Sequence, residues 1–212
     1  MDIKTKVYNF LSEELTKGHL DRSDRITEQY LVDNLGLSRT PIREALFQLA
    51  AEDILEKEPR KGYKFKSYTA EDIKKLYELI GVLDGKVAVD AIDKLTEEDY
   101  ALMNFLIDSM YSAIKNELYT KYNELQMQFH NVYIQKCLNN FITEELINKK
   151  NIFIGKAYPK VDSSKLYNLL MQTNAEHAKI LELFKNHDAY GLRHYLEETH
   201  WNESYALYDT WK

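Results

Sequence analysis

The sequence predicts a mainly α protein in two parts, an N-terminal helix-turn-helix with a short β-hairpin and a C-terminal all-helical bundle of about six helices. Three observations predict this. Apolar residues recur at helical spacing through most of the chain. The stretch that breaks the pattern, "ILEKEPRKGYKF" at 54–65, reads as two short strands about a turn. From Thr69 onward glycine and proline become scarce while the helical pattern continues.

A length of 212 residues allows one large domain or two small ones. No segment approaches the ~20 apolar residues of a membrane-spanning helix, and the charged, amphipathic start "MDIKTKVYNFLSEEL" does not resemble a signal peptide. Cys137 is the one cysteine, which excludes an intramolecular disulfide framework and fits a reducing compartment. These features predict a cytoplasmic protein with no membrane partner. Met1–Lys66 hold twelve basic and twelve acidic residues, so the formal charge of −6 sits wholly in the remainder. An acidic chain is a poor general ligand for phosphates, and only a local cation cluster serves that purpose. The densest is "KEPRKGYKFK", with Lys57, Arg60, Lys61, Lys64 and Lys66 opposed by Glu58.

The elements follow in order. Val7, Phe10, Leu11 and Leu15 predict an amphipathic helix over 2–17 that stops near Gly18. Thr27 is placed to cap a short helix, "EQYLVDNL", ending at Gly36. Ser38 is expected to cap the next helix through its side-chain oxygen, with Pro41 tolerated in the first turn. Ile42, Ala45, Leu46 and Leu49 form its inward stripe, and Arg39 and Arg43 share a flank beside it. Two short helices about a glycine turn, the second basic at its start, make a helix-turn-helix, whose second helix enters the major groove. An arginine fork suits guanine O6 and N7. The hairpin around "PRKG" is a wing, in which Gly62 is expected to take a positive φ and bring backbone close to a phosphate or the minor groove.

The stretch "LSRTPIREALFQLAAEDILEKEPRKGYKF" resembles the signature of GntR-type winged-helix transcription regulators, in which S-R-T-P-x-R-E-A-L is followed by a Leu-Ala pair and a P-R-x-G wing. The resemblance covers about residues 5–66 and implies DNA binding by residues 1–66. It implies that Arg39, Thr40 and Arg43 contact bases or phosphates and that Lys61 and Gly62 form the wing tip. Gln29 occupies a position where family members carry a further contacting arginine. The candidate DNA contacts are Gln29, Ser38, Arg39, Thr40, Arg43, Arg60, Lys61 and Gly62. Two positions depart from the pattern: "RSD" stands for the usual Pro-Gly before the first motif helix, and Asp53 replaces the glycine that ends the recognition helix.

Beyond Thr69 the pattern predicts helices at 69–93, 96–116, 118–138, 141–155, 163–171, 174–186 and 189–209. "TAED" and "TEED" are capping-box starts with Asp in the Glu position, Thr173 with Glu176 reads as a T-x-x-E capping box, and Asp188 reads as an N-cap.

Helical phase sorts the six histidines. His130, His177 and His200 each point inward from a different helix, while His19, His187 and His194 fall at turns or on polar flanks. One inward histidine is ordinarily a hydrogen-bonded core residue; three in one small bundle also suit a divalent transition metal with a position left open. The segments "QMQFHNVYIQKCLNN" and "AEHAKILELFKNHDAYGLRHYLEETH" resemble the FCD-type effector domain of the FadR/VanR-like GntR subfamily. That resemblance assigns residues 67–212 to effector binding and dimerisation, and implies a metal (zinc, nickel or manganese) that anchors a small carboxylate. His130, His177 and His200 match its ligand positions, whereas Gln126 stands where the family carries Asp and is a neutral, poorer donor. The implied effector pocket is Gln126, His130, Tyr133, His177 and His200. Ile80 stands where relatives place a carboxylate-pairing arginine.

The expected function is a transcription regulator, a repressor binding an inverted-repeat operator in double-stranded DNA as a homodimer under a small-molecule effector. The alternative is a tri-histidine metal-dependent hydrolase with a vestigial winged helix. It lacks an assigned general base, because Glu176 is already used as a cap.

Overall fold

The computed structural model describes residues 2–155 and 163–209. They form two compact units, 2–68 with 148–155, and 69–147 with 163–209. Among the described residues no helix is long and apolar enough to cross a membrane.

In the first unit, α1 (Ile3–Lys17) is capped by Asp2, whose carboxylate accepts from Thr5 N at 2.8 Å, and ends at Gly18. Thr27 caps α2 (Glu28–Leu35) through Tyr30 N at 3.1 Å, and Gly36 closes it in the left-handed conformation, φ 66°. α3 (Arg39–Ala51) starts at Ser38 as expected, but the Ser38 hydroxyl makes no cap bond. A cap side chain accepts from the second or third helical N–H, and one of these two donors is missing because the third residue is Pro41. The stripe Ile42, Ala45, Leu46 and Leu49 is buried. Asp53 ends the helix at φ 64°, a conformation that favours glycine but that Asp tolerates better than most residues. Its carboxylate pairs with Lys66 and its carbonyl accepts from Tyr68 Oη at 2.7 Å.

The wing is an antiparallel pair, β1 (Leu55–Glu58) and β2 (Gly62–Phe65), in register Leu55↔Phe65 to Glu58↔Gly62. Ile26 bridges Tyr63 through two backbone bonds of 2.7 and 2.9 Å. This bridge explains Gly62 differently from the sequence expectation. Its φ is positive, 100°, but the missing side chain makes room for the protein's own backbone, since a Cβ there would lie 2.7 Å from the Ile26 carbonyl oxygen.

Residues 148–155 complete this unit. Ile154 is 1% exposed within the cluster that holds Val7, Leu11, Leu46 and Phe65. Tyr8 Oη donates to Asn151 O at 3.1 Å, Gly155 N donates to Ser12 Oγ at 3.3 Å, and the Arg22 guanidinium donates to the Ile154 carbonyl. Burial pulls the Arg22 pKa down to about 9, which leaves it protonated at neutral pH. Arg22 belongs to the "RSD" that replaces Pro-Gly. The turn is made instead by Asp21 and Asp24, with Ser23 N to Asp21 Oδ1 at 2.9 Å and Asp21 N to Asp24 Oδ2 at 2.7 Å.

The second unit opens on α4 (Ala70–Ala91) and α5 (Glu97–Lys115). Both carry the expected capping boxes, Thr69 with Asp72 and Thr96 with Asp99. α6 (Tyr119–Ile134) is shorter than the 118–138 expected, and α7 (Asn140–Lys150) gives way to a 3-10 turn at Asn151–Phe153. Two expectations fail here. The helices expected at 163–171 and 174–186 are one continuous helix, α8 (Ser163–Lys185). Thr173 does not cap: its hydroxyl donates to Leu169 O at 3.0 Å, a bond available only inside a helix. The helix expected at 189–209 is α9 (Ala189–Tyr195), capped by Asp188 through Gly191 N at 2.8 Å. It is followed by a π-helical turn, Leu196–His200, and a 3-10 turn, Glu203–Asp209. The π-turn is marked by Trp201 N donating to Leu196 O at 3.0 Å. Gly81 and Gly85 let α4 approach it closely, since a Cβ on Gly81 would lie 3.2 Å from Trp201 Cβ.

Candidate functional site

The first unit presents a polar surface built on α3. Ser38, Arg39, Thr40 and Arg43 are exposed on the side away from the buried stripe, and Gln29 is exposed on α2. The two helices hold the arginine side chains in place. Arg39 Nη2 donates to Gln29 Oε1 at 2.5 Å, and Gln29 Nε2 donates to Asp33 Oδ1 at 2.6 Å. Arg43 grips Glu28 with both arms of its fork, Nε to Oε1 at 2.8 Å and Nη2 to Oε2 at 3.0 Å. The fork holds the Glu28 carboxyl below its ordinary range. Such an exposed pair is worth only ~0–1 kcal/mol, so exchanging Glu28 for another acceptor costs little.

The wing carries fewer unengaged cations than its sequence implies. Lys64 pairs with Glu56 at 3.0 Å and Glu58 at 3.4 Å, and Lys66 pairs with Asp53. Lys57, Arg60 and Lys61 remain as exposed cations. Arg60 takes a left-handed φ of 63° at the turn, while Gly62 is half-buried against Ile26.

The second unit brings together the three histidines expected to converge. His130 on α6, His177 on α8 and His200 at the end of the π-turn are 4%, 0% and 7% exposed. Their ring centroids lie 5.3, 5.0 and 5.1 Å apart, and one nitrogen from each lies within 4.8 Å of the others. His130 Nε2 and His200 Nε2 face each other at 3.3 Å. Their other nitrogens are engaged behind. His130 Nδ1 lies 2.6 Å from Tyr133 Oη, which donates to Asp84 Oδ1 at 2.6 Å. His200 Nδ1 lies 3.1 Å from Glu176 Oε2, while Glu176 Oε1 accepts from Tyr205 Oη at 2.6 Å. Burial, reinforced by the Asp84 carboxylate, pushes the Tyr133 phenol well above its ordinary pKa, so it acts as a neutral donor. Gln126, one turn before His130, is half-buried, and Ile80 is fully buried in the apolar stripe of α4. His19, His187 and His194 are exposed, as expected.

Sequence reasoning missed two residues of this site. Asp84 is 0% exposed and also accepts from Trp201 Nε1 at 2.8 Å. The signal was present, because Asp84 shares the inward stripe of α4 with Tyr77, Ile80, Val87 and Ala88. Glu176, read as a helix cap, is 4% exposed and faces His200. The T-x-x-E spacing misled because Thr173 is satisfied in mid-helix, its hydroxyl bonded to Leu169 O, and the helix runs on through it.

Comparison with known proteins agrees with both units. Residues 3–65 match the family described as "Bacterial regulatory proteins, gntR family", and residues 75–200, more than half of the chain, match the FCD domain. The Bacillus subtilis protein described as "Uncharacterized HTH-type transcriptional regulator YdhC" is 28% identical over 207 residues, 90% of this chain and 91% of that protein. The Escherichia coli McbR/YncC structure has a TM-score of 0.80 at 20% identity, covering 98% of this chain and 97% of that one. A GntR transcriptional regulator from Rhodococcus has a TM-score of 0.71 at 17% identity, over 97% and 96%. These two likenesses show the fold alone. GntR regulators bind DNA operators and FCD domains bind small-molecule effectors, and the hydrolase alternative finds no support among the relatives. The chain belongs to the GntR family of DNA-binding transcription regulators, with the C-terminal FCD domain of its FadR/VanR-like branch.

Proposed function

We propose that residues 1–66 read an inverted-repeat operator as one half of a homodimer, and that residues 67–212 carry dimerisation and effector binding. α3 lies in the major groove with Arg39, Thr40 and Arg43 toward base edges, and Gln29 and Ser38 lie beside the sugar-phosphate backbone. Arg60 and Lys61 bring the wing to the phosphates, with Gly62 supporting the turn. The observation that carries this reading is the exposed Arg39–Thr40–Arg43 face, backed by a fully buried stripe on the same helix. The regulator acts as a repressor whose effector shifts the spacing of the two heads by binding one dimer state better than the other. Selection of duplexes from a random pool by the full-length protein tests this. The expected product is an inverted repeat with half-sites about one helical turn apart. Recovery of no enriched sequence, or of a lone half-site, would overturn it.

The histidine site fits a divalent transition metal. Two nitrogens each ~2.05 Å from one tetrahedral ion lie ~3.3 Å apart, and the observed Nε2–Nε2 distance is 3.3 Å. His130, His177 and His200 are the residues that would hold the ion (zinc, nickel or manganese), with half-buried Gln126 one turn before His130. When bound it supplies a positive centre for an anionic effector such as a small carboxylate. The surrounding residues orient the rings: Tyr133 stands behind His130, and Glu176 behind His200. Elemental analysis of protein purified without chelator or affinity tag should find near one metal per chain, lost in His130→Ala. Absence of metal even after reloading would make the histidines a pocket wall and turn the effector search to non-chelating ligands.

A further inference from the structure

We propose that Asp84 and Glu176 are positioning residues of this site, which fix the ring orientation and tautomer of His130 and His200 and supply the negative charge that Gln126 does not. The inference rests on the metal reading above and extends it to two carboxylates that are not among the expected ligand or effector residues.

The available hydrogens fix which ring nitrogens donate. A phenol has one hydrogen to donate and an ionised carboxylate has none. Tyr133 spends its hydrogen on Asp84 Oδ1, and Trp201 Nε1 donates to Oδ2. The remaining contact of Tyr133 Oη, 2.6 Å from His130 Nδ1, is therefore a bond in which the ring nitrogen donates. A neutral His130 then carries its hydrogen on Nδ1, and its Nε2 presents a lone pair. On the other side Tyr205 donates to Glu176 Oε1, and Glu176 Oε2 accepts from His200 Nδ1. His200 is thus the same tautomer. Both Nε2 lone pairs then meet 3.3 Å apart in a buried site. Two lone pairs at that distance repel unless a cation lies against both. A histidine whose second nitrogen is held by a carboxylate, directly or through a hydroxyl, is the usual arrangement around a metal, and it raises the basicity of the ligating nitrogen.

Charge gives the second strand. A dication held by three neutral imidazoles is unbalanced in an apolar interior, and buried charge needs compensation. In the pattern this chain resembles, an Asp one turn before the first histidine provides one negative charge directly. Here that position is Gln126. Asp84 and Glu176, 0% and 4% exposed on α4 and α8, provide two from behind the rings. The π-turn serves the same arrangement, since it sets His200 and Trp201 side by side, one toward Glu176 and the other toward Asp84.

The test uses full-length protein stripped of metal and titrated with Co²⁺ against a competing chromophoric chelator, for wild type, Glu176→Gln, Asp84→Asn and His177→Ala. Each carboxylate variant should bind Co²⁺ about 10–100-fold more weakly, with an altered ligand-field spectrum in the folded protein. A residue that only braced the fold would lower the melting temperature and leave that spectrum unmoved. Trp201, whose ring lies 5.7 Å from that of His200, gives a second readout, with quenching that needs more Co²⁺ in the variants. Should Asp84→Asn fail to fold, Tyr133→Phe removes the relay oxygen, and the same weakening is expected. Wild-type affinity and spectrum in the carboxylate variants and in Tyr133→Phe, with loss only in His177→Ala, would overturn this inference and leave the metal reading standing. No Co²⁺ uptake by wild type would overturn both.

Discussion

Arg43→Ala is expected to weaken specific operator binding by about 30-fold to 10⁴-fold while leaving both units folded. A bidentate arginine–guanine pair is worth about 1–3 kcal/mol, and a dimer would lose one in each half-site. The structure makes Arg43 a clean probe. Its side chain is 65% exposed and its fork rests on Glu28, an exposed pair whose loss costs the fold little. Circular dichroism and the melting temperature should therefore match wild type. Fluorescence anisotropy with the selected operator, at fixed salt, reads the affinity. An unchanged dissociation constant would sink the placement of α3 in the groove, whatever the fate of the effector domain.

Ile154→Ala should destabilise the first unit by about 2–4 kcal/mol, although the residue lies far along the chain from the rest of that unit. Truncating a buried isoleucine removes transfer energy and leaves a cavity. Ile154 is 1% exposed among Val7, Leu11 and Phe65, and its carbonyl accepts from Arg22. Marginal stability makes such a loss a large fraction of what a small domain has. Operator binding should thus fail at a lower urea concentration in Ile154→Ala than in wild type, with no DNA-facing residue touched. Leu138→Ala, at an 81% exposed position, is the control and should stay within about 0.5 kcal/mol of wild type. Coincident operator-binding and unfolding curves for Ile154→Ala and wild type would show that residues 148–155 do not support the head.

These two cases mark different depths of legibility. The Arg39–Arg43 flank, the buried stripe beside it and the caps at Thr27, Thr69, Thr96 and Asp188 could all be read from residues within four positions of one another. Helix phase alone also turned His130, His177 and His200 inward. The same local reading failed where a side chain had two uses. Thr173 and Glu176 have the spacing of a cap, yet the helix runs through them and Glu176 turns to His200. Gly62 takes the positive φ its turn implies, but its need for a missing side chain comes from Ile26, which sequence spacing does not place against it.

The class of this protein is legible along the chain: a helix-turn-helix with a wing, a helical bundle, and three inward histidines. Each follows from turn chemistry and periodicity, which act between near neighbours along the chain. Packing in three dimensions sets Asp84 behind Tyr133 and His130, sets Glu176 behind His200, and brings Ile154 into the core of the first unit. Those pairings depend on where helices cross and how closely they approach. Crossing geometry is set by the packing of whole faces, including the glycines at 81 and 85, and leaves no mark at any fixed spacing in the sequence.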